Sequence, residues 1–303
     1  MTLKIKILLV IIGLELVALG GWWYLRRAET SYPATEGENY FLLTDTAGIN
    51  FIQLDTNIFE RKNAQWLLNQ RYLADRPLLG ELFTLMGKIE IQQLITGQEG
   101  QALGKEIDAQ GKVVEFRKGN QVATRFKVWR VRGNTYALSS KSQYPAAIYI
   151  PGYSIDLYEA FTLPEGEWRN KNLVSTGWLG VRKVHIRYSE TPEQNVLLQR
   201  QGEFYTVEGV KQLDSATVYQ FVDNFRNFRV YTFIDNPALR DSLQKLIPFC
   251  QMEIETLEGT IALQIYVNKK TGMFGITQPQ GELVQLEPRY FSRFLMRRKD
   301  FEL

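Results

Sequence analysis

Hydrophobic positions along the chain fall into three regimes. Residues 8–25, LLVIIGLELVALGGWWYL, are almost continuously apolar, with Glu15 the single charge. Eighteen helical residues rise about 27 Å, close to the hydrocarbon thickness of a bilayer. Beyond a polar stretch containing Pro33, the pattern becomes short alternating runs punctuated by turn residues. These predict strands at 40–44, 49–54 and 64–68. The third regime is helical. Asp75 is placed to cap, Pro77 sits in the first turn, and Leu78, Leu79, Leu82, Phe83, Met86 and Ile89 form one apolar stripe.

The strand-then-helix pattern recurs at a constant offset of 139 residues. Trp66 falls on Tyr205, Asp75 on Asp214, Leu79 on Val218, Leu82 on Phe221, Phe83 on Val222, Met86 on Phe225 and Ile89 on Phe228. Strand-like runs at 184–188, 196–200 and 204–207 precede the second helix, so two β-β-β-α units are expected. A weaker third echo follows, with strands at 261–267, 273–276 and 283–286. A helix opens there at Glu287-Pro288 and carries Tyr290, Phe291, Phe294 and Leu295. Between the two main units, runs at 112–117, 123–131, 135–138 and 146–150 alternate between glycine turns, the grammar of an antiparallel meander.

The expected fold class is therefore α+β: a single N-terminal transmembrane helix, then repeated β-β-β-α units joined by an antiparallel strand-rich middle. The expected segments are a tail and anchor (1–27), a linker (28–39), a first repeat unit (40–104) and a strand-rich middle with an aromatic loop (105–170). The second repeat unit and its weaker echo occupy 171–303.

The first apolar run has two readings. Lys4 and Lys6 before it fit a signal peptide, but bulky Trp22, Trp23 and Tyr24 and the pair Arg26–Arg27 close it with no good small-residue cleavage site beyond, and the weak one at Ala18 and Gly20 falls before the aromatics. An uncleaved anchor is expected, with a cytoplasmic N-terminus and an exported, periplasmic body at a bacterial inner membrane. Glu15 at mid-membrane has two readings: a protonated residue tolerated in a single anchor, or, with Gly13 and Gly20 allowing close helix approach, a contact with a membrane partner.

Several of these features together resemble the bacterial DUF4340 family. They are the anchor, the strand around 49–54, Trp66 leading to Tyr72-Leu-Ala-Asp75 and its helix, Trp168-Arg-Asn-Lys-Asn-Leu173, and Tyr205 leading to Asp214. Residues 103–107, Leu-Gly-Lys-Glu-Ile, depart from that family's glycine-rich stretch. The family is functionally uncharacterised. The resemblance implies companionship with gliding-type or auxiliary ABC transport systems, and it assigns no catalytic residue.

Composition narrows the chemistry. With 36 basic and 33 acidic residues the net charge is only +3, which gives no concentrated basic face for nucleic acid. The single histidine, His185, sits in a strand-like run and rules out His-based zinc clusters and His-containing triads within one chain. The single cysteine, Cys250, lies in apolar Leu-Ile-Pro-Phe-Cys and excludes an intrachain disulfide. Residues 100–106, GQALGKE, lack the spacing and the Ser/Thr of a phosphate loop. Asp156 with Glu159, and Glu165 with Glu167, are carboxylate pairs in the distinctive loop 151–168, whose Tyr153, Tyr158 and Trp168 read either as an interaction surface or as aromatics packing a long connection onto the body. The basic tail Arg293, Arg297, Arg298 and Lys299 is diluted by Asp300 and Glu302.

No catalytic, cofactor or metal residue is assigned. The expectation is a non-enzymatic, membrane-anchored accessory or scaffold subunit of an envelope complex. Its partners would be membrane proteins such as transporter subunits, and the bilayer. Glu15, Gly13, Gly20, Tyr153, Tyr158 and Trp168 would be the contacts. The alternative is an envelope ligand- or polymer-binding protein using a groove between repeat units.

Overall fold

The computed structural model describes residues 40–268 and 272–303. The chain divides after Pro164 into two compact units. The first contains β1 (Phe51–Leu54), β2 (Asn57–Lys62), β3 (Gln65–Leu68) and β4 (Tyr72–Leu73). These are followed by α1 (Arg76–Met86), β5 (Glu90–Leu94) and α2 (Gly97–Gln110). Then come β6 (Lys112–Lys118), β7 (Gln121–Val131), β8 (Asn134–Ser139), β9 (Ala146–Tyr149) and the short α3 (Leu157–Phe161). The nine strands form one antiparallel sheet in the order β4-β3-β2-β1-β6-β7-β8-β9-β5.

The second unit opens with the one-turn α4 (Glu165–Trp168) and β10 (Asn172–Val174). It continues with β11 (Val181–Tyr188), β12 (Val196–Gln201), β13 (Phe204–Val207), α5 (Ser215–Asp223), β14 (Phe228–Arg229), β15 (Thr232–Phe233) and α6 (Pro237–Gln244). It closes with β16 (Cys250–Thr256), β17 (Thr260–Asn268), β18 (Gly272–Gln278), β19 (Leu283–Leu286) and α7 (Pro288–Phe291). Its main sheet runs β13-β12-β11-β16-β17-β18-β19-β15, and β10 pairs with β14 separately.

Apart from the edge strand β4, which has no counterpart, the two orders are the same. Registers agree as well: Ile52 faces Phe59 as Val184 faces Leu198, and Phe59 faces Leu68 as Leu198 faces Val207. Ile52 faces Phe116 as Val184 faces Ile254, and Val128 faces Ala137 as Ile265 faces Gly275. The repeat is thus larger than the β-β-β-α unit read from the sequence. The strand-rich middle is the far half of the first sheet, and the weak third echo is its counterpart in the second.

Local chemistry explains the matched helices. The Asp75 carboxylate accepts from the Leu78 N–H, and that of Asp214 from Ala216 and Thr217, satisfying donors at each helix start. Leu79, Leu82 and Met86 of α1 are buried, as are Val218, Phe221 and Val222 of α5. In the first unit Phe83 lies 6.0 Å from Phe116. In the second, Phe225, Phe228, Phe291 and Phe294 pack with centroids 4.8–5.5 Å apart. The other sheet face has its own small core of Leu243, Tyr266, Phe274, Ile276 and Leu283 beside α6. Side-chain alternation along β17 and β18 separates it from the main core.

Several expectations are corrected here. The first stripe was expected to stay helical to Ile89, but the helix stops at Met86, where Gly87 caps it. The second was expected to reach Phe228, but α5 ends at Asp223 and a 3₁₀ turn delivers Phe228 to β14. The expected transmembrane helix is not among the described elements. Among the described residues no helix is long and apolar enough to cross a membrane. The longest, α2, has 14 residues, about 21 Å at the α-helical rise, and carries Glu99, Lys105, Glu106 and Asp108. Residues 8–25, including Gly13, Glu15 and Gly20, lie outside the described residues. The reading of a single-pass, inner-membrane, periplasmic accessory subunit is corrected accordingly, since no described element supports an anchor.

Candidate anion-binding cavity

Strands β6, β7 and β8 turn Val114, Phe126, Val128 and Ala137 into the first unit's core. Alternation then places Val113, Lys127 and Leu138 in one row on the opposite face, with Glu115 and Arg125 in the next. The end of α2 closes over this face. A Cβ at Gly111 would lie 2.4 Å from the Ile107 carbonyl oxygen and 3.1 Å from the Lys127 Cβ, so only glycine allows that approach. The approach sets Asp108 beside Lys127, whose Nζ donates to the Asp108 carbonyl oxygen at 2.7 Å and lies 3.4 Å from Oδ1.

A serine-built turn makes the remaining wall. Ser142 donates from Oγ to the Tyr144 carbonyl oxygen at 2.7 Å, and Ser139 Oγ accepts from the Lys141 N–H at 3.2 Å. These are local side-chain-to-backbone bonds of the kind that shape tight turns. They leave Ser140 and Gln143, which make no side-chain hydrogen bond among the described residues, at the rim. The cavity is half open to solvent and has a volume of about 350 Å³, lined by these groups with Arg125, Phe126, Lys127 and Leu138. That is the lower end of small-ligand cavities.

The charge balance is positive. Glu115, only 1% exposed, bonds closely to Arg117 and lies 3.5 Å from Arg125. That bond pushes the Arg117 guanidinium further above its ordinary range. Arg117, Arg125 and Lys127 therefore face only Glu115 and Asp108. Arg125 is the looser partner and keeps N–H donors for another anion. The second unit shows the same positions without this chemistry. Ala262 stands where Arg125 is, Gln264 where Lys127 is, and Glu253, matching Glu115, is answered by Lys183 at 3.6 Å.

The residues singled out from the sequence do not converge on this cavity. Tyr153 is exposed, with Lys88 Nζ 5.1 Å from its ring centre. Tyr158 is half-buried, edge-on to Trp129 and under Arg130. Trp168 is 1% exposed and belongs to the interior, which corrects its reading as a partner contact. Asp156 caps α3 and, with Glu159, holds Arg130 at 2.7 and 3.2 Å. Burial alone would raise its pKa, but the bonds from Arg130 and the helix N–H groups hold it below the usual carboxylate range. Glu167 is likewise held low, its burial outweighed by Lys171 at 2.6 Å and by Thr232. His185 lies on β11 beside Arg187, 3.2 Å away, and desolvation followed by the Arg187 charge lowers its pKa. Burial pushes the Cys250 thiol up to about 12. Among the described residues no cluster of three or more His, Cys, Asp or Glu is arranged to hold a metal ion.

Sequence reasoning missed Arg125 and Lys127 because each reads as the polar half of an ordinary alternating strand. Only the sheet register and the α2 approach bring them together. These features define a tandem α+β protein whose first copy carries a cationic cavity. No protein-family profile, curated protein or solved structure matches the chain, so the family resemblance rests on its motifs.

Proposed function

We propose that the protein is a non-catalytic binding protein whose first unit takes a small organic anion, a carboxylate-bearing molecule with hydroxyl groups. The observation that carries this reading is the pair Arg125 and Lys127, present in the first copy's cavity and replaced by Ala262 and Gln264 in the second. The guanidinium and ammonium would hold the carboxylate, and Ser140 and Gln143 would meet hydroxyls. Apolar Val113 and Leu138 would pack against the carbon skeleton. A non-catalytic role is supported by the engagement of the reactive candidates. Asp156 and Glu159 hold Arg130, Glu167 holds Lys171, and Cys250 is a buried thiol.

The test is calorimetric titration of the full chain with gluconate and, separately, inorganic phosphate. The comparison is a double variant carrying the second unit's residues, Arg125→Ala with Lys127→Gln. Charge-assisted hydrogen bonds contribute about 1.5–3 kcal/mol each, so the variant should bind at least about 100-fold more weakly. Preference for phosphate would change the anion class. Equal binding by variant and parent, or no heat from either probe at about 10 mM, would sink the reading.

A further inference from the structure

The second unit presents three large apolar side chains at one end of its sheet. Leu179, in the turn before β11, is 71% exposed, Phe204 at the start of β13 is 74%, and Leu257 in the β16–β17 turn is 63%. The sheet order β13-β12-β11-β16-β17 makes these three tips neighbours. Their backbones are tied together. The Leu257 N–H donates to the Gly180 carbonyl oxygen at 3.0 Å, and Arg200 donates to the Leu179 and Gly202 carbonyl oxygens at 2.6 and 2.9 Å. Tyr205 Oη shares its one O–H between the Trp178 and Val181 carbonyl oxygens at 2.8 and 2.5 Å, and Trp178 packs at a tilt against Tyr205 and half-exposed Tyr219. The tips therefore form a pre-ordered surface.

The first unit serves as an internal control. Counted out from the paired strands, its matching positions are Ala47, Gln65 and Gly119. The fold closes that end with small or polar residues, so it does not require Leu179, Phe204 and Leu257. Three exposed side chains of this size offer on the order of 400 Å² of apolar surface, the size of patch that marks an interaction site.

We infer that this patch is a self-association surface that seats a second copy of the same chain. The rim decides the occupant. It carries both signs, with exposed Arg182 and half-buried Arg200 beside exposed Glu203 and Glu258. A surface of one sign would select an opposite partner, whereas balanced charges around an apolar centre complement themselves under a two-fold rotation. The area fits a reversible dimer. Two such patches bury about 800 Å² of apolar surface, and with the rim approach the lower limit of specific interfaces. Assembly in the micromolar range is expected.

Sedimentation of the full chain across about 1–100 µM should show a monomer–dimer shift. The triple variant Leu179→Ala, Phe204→Gln and Leu257→Ser should remain monomeric at every concentration. A rim test guards against a folding defect in that variant. Arg182→Glu or Glu258→Arg alone should weaken assembly about tenfold, and the two together should restore it. Geometry is checked by mild oxidation with diamide. Glu258→Cys should give a covalent dimer, while Asn120→Cys, the matching turn of the first unit, should not. A parent chain that stays monomeric overturns the inference. So does a triple variant that assembles like the parent, or equal cross-linking at Cys-substituted positions 120 and 258.

Discussion

Arg169 is 8% exposed, yet it carries a full positive charge in the second unit's interior. Its Nη2 lies 2.7 Å from Glu282 Oε2, and its guanidinium lies 3.5 Å from the centre of the Phe233 ring. Replacing Glu282 by Gln keeps shape and removes that counter-charge. Breaking a buried ion pair by removing one partner costs about 3–5 kcal/mol. Here the Glu282 side chain is 19% exposed, so water recovers part of that, and the Phe233 face still attracts the cation. We expect a loss of about 2–3 kcal/mol for the second unit. Urea unfolding followed by circular dichroism should show its midpoint falling by about 1–2 M at ordinary m-values. The backbone role of residue 282, bonded to Thr277 through both N–H and C=O, is untouched by the substitution. A companion double variant, Arg169→Met with Glu282→Leu, should recover most of the loss, because the pair is removed whole. A single variant within 0.5 kcal/mol of the parent, on the order of an ordinary surface substitution, would refute the reasoning.

Asp75→Ala should cost the first unit about 1 kcal/mol, read as a lower thermal midpoint, because the Leu78 N–H loses its acceptor. His185 should impose a pH dependence. Its folded pKa is below the ordinary 6.5, so the unfolded chain binds the proton first. Its contribution to stability is therefore complete above pH 6.5 and lost as pH falls through the lowered value. His185→Gln should flatten that part of the stability–pH curve, and an unchanged curve would argue against the assignment. Gly275 and Val284 face each other where the first unit has Ala137 and Ala146. A Cβ at Gly275 would lie 2.8 Å from Leu263 Cδ1 and 2.9 Å from Val284 Cγ2, so Gly275→Ala should cost about 1–3 kcal/mol. Adding Val284→Ala should offset only the Val284 part of that, with a measurable coupling in chemical unfolding.

Capped, strongly striped helices were legible because local and tertiary demands agree there. Asp75 and Asp214 cap, and the same side chains that mark the stripes are buried. Helix α2 was not legible: it has glycines at 97, 100 and 104, and Gly100 and Ile107 are its buried residues. Packing overrides weak propensity in that segment. The scale of the duplication was also hidden. The second helix pair shortens from 14 residues in α2 to 8 in α6 and shares no side-chain pattern, so although paired strand positions such as Phe116 and Ile254 keep nearly the same offset, only hydrogen-bond register establishes the match. The cavity stayed invisible for a related reason. Arg125, Lys127 and Ser140 carry no motif, and their meeting depends on strand pairing plus the close passage at Gly111. Trp168 could be read either as a contact or as packing, because an aromatic in a glycine- and proline-rich loop fits both; the one-turn helix α4 buries it.

Cys250 makes the two copies experimentally separable. It is the only thiol in the chain and lies in the second unit, with none before Pro164. Buried and held protonated, it meets a disulfide reagent only when β16 leaves its sheet. The labelling rate of the native protein is therefore a clock for excursions of one half of a duplicated fold, against a silent background from the other. Read beside a global unfolding signal, that clock reports whether duplication left two independent folding units or one cooperative whole.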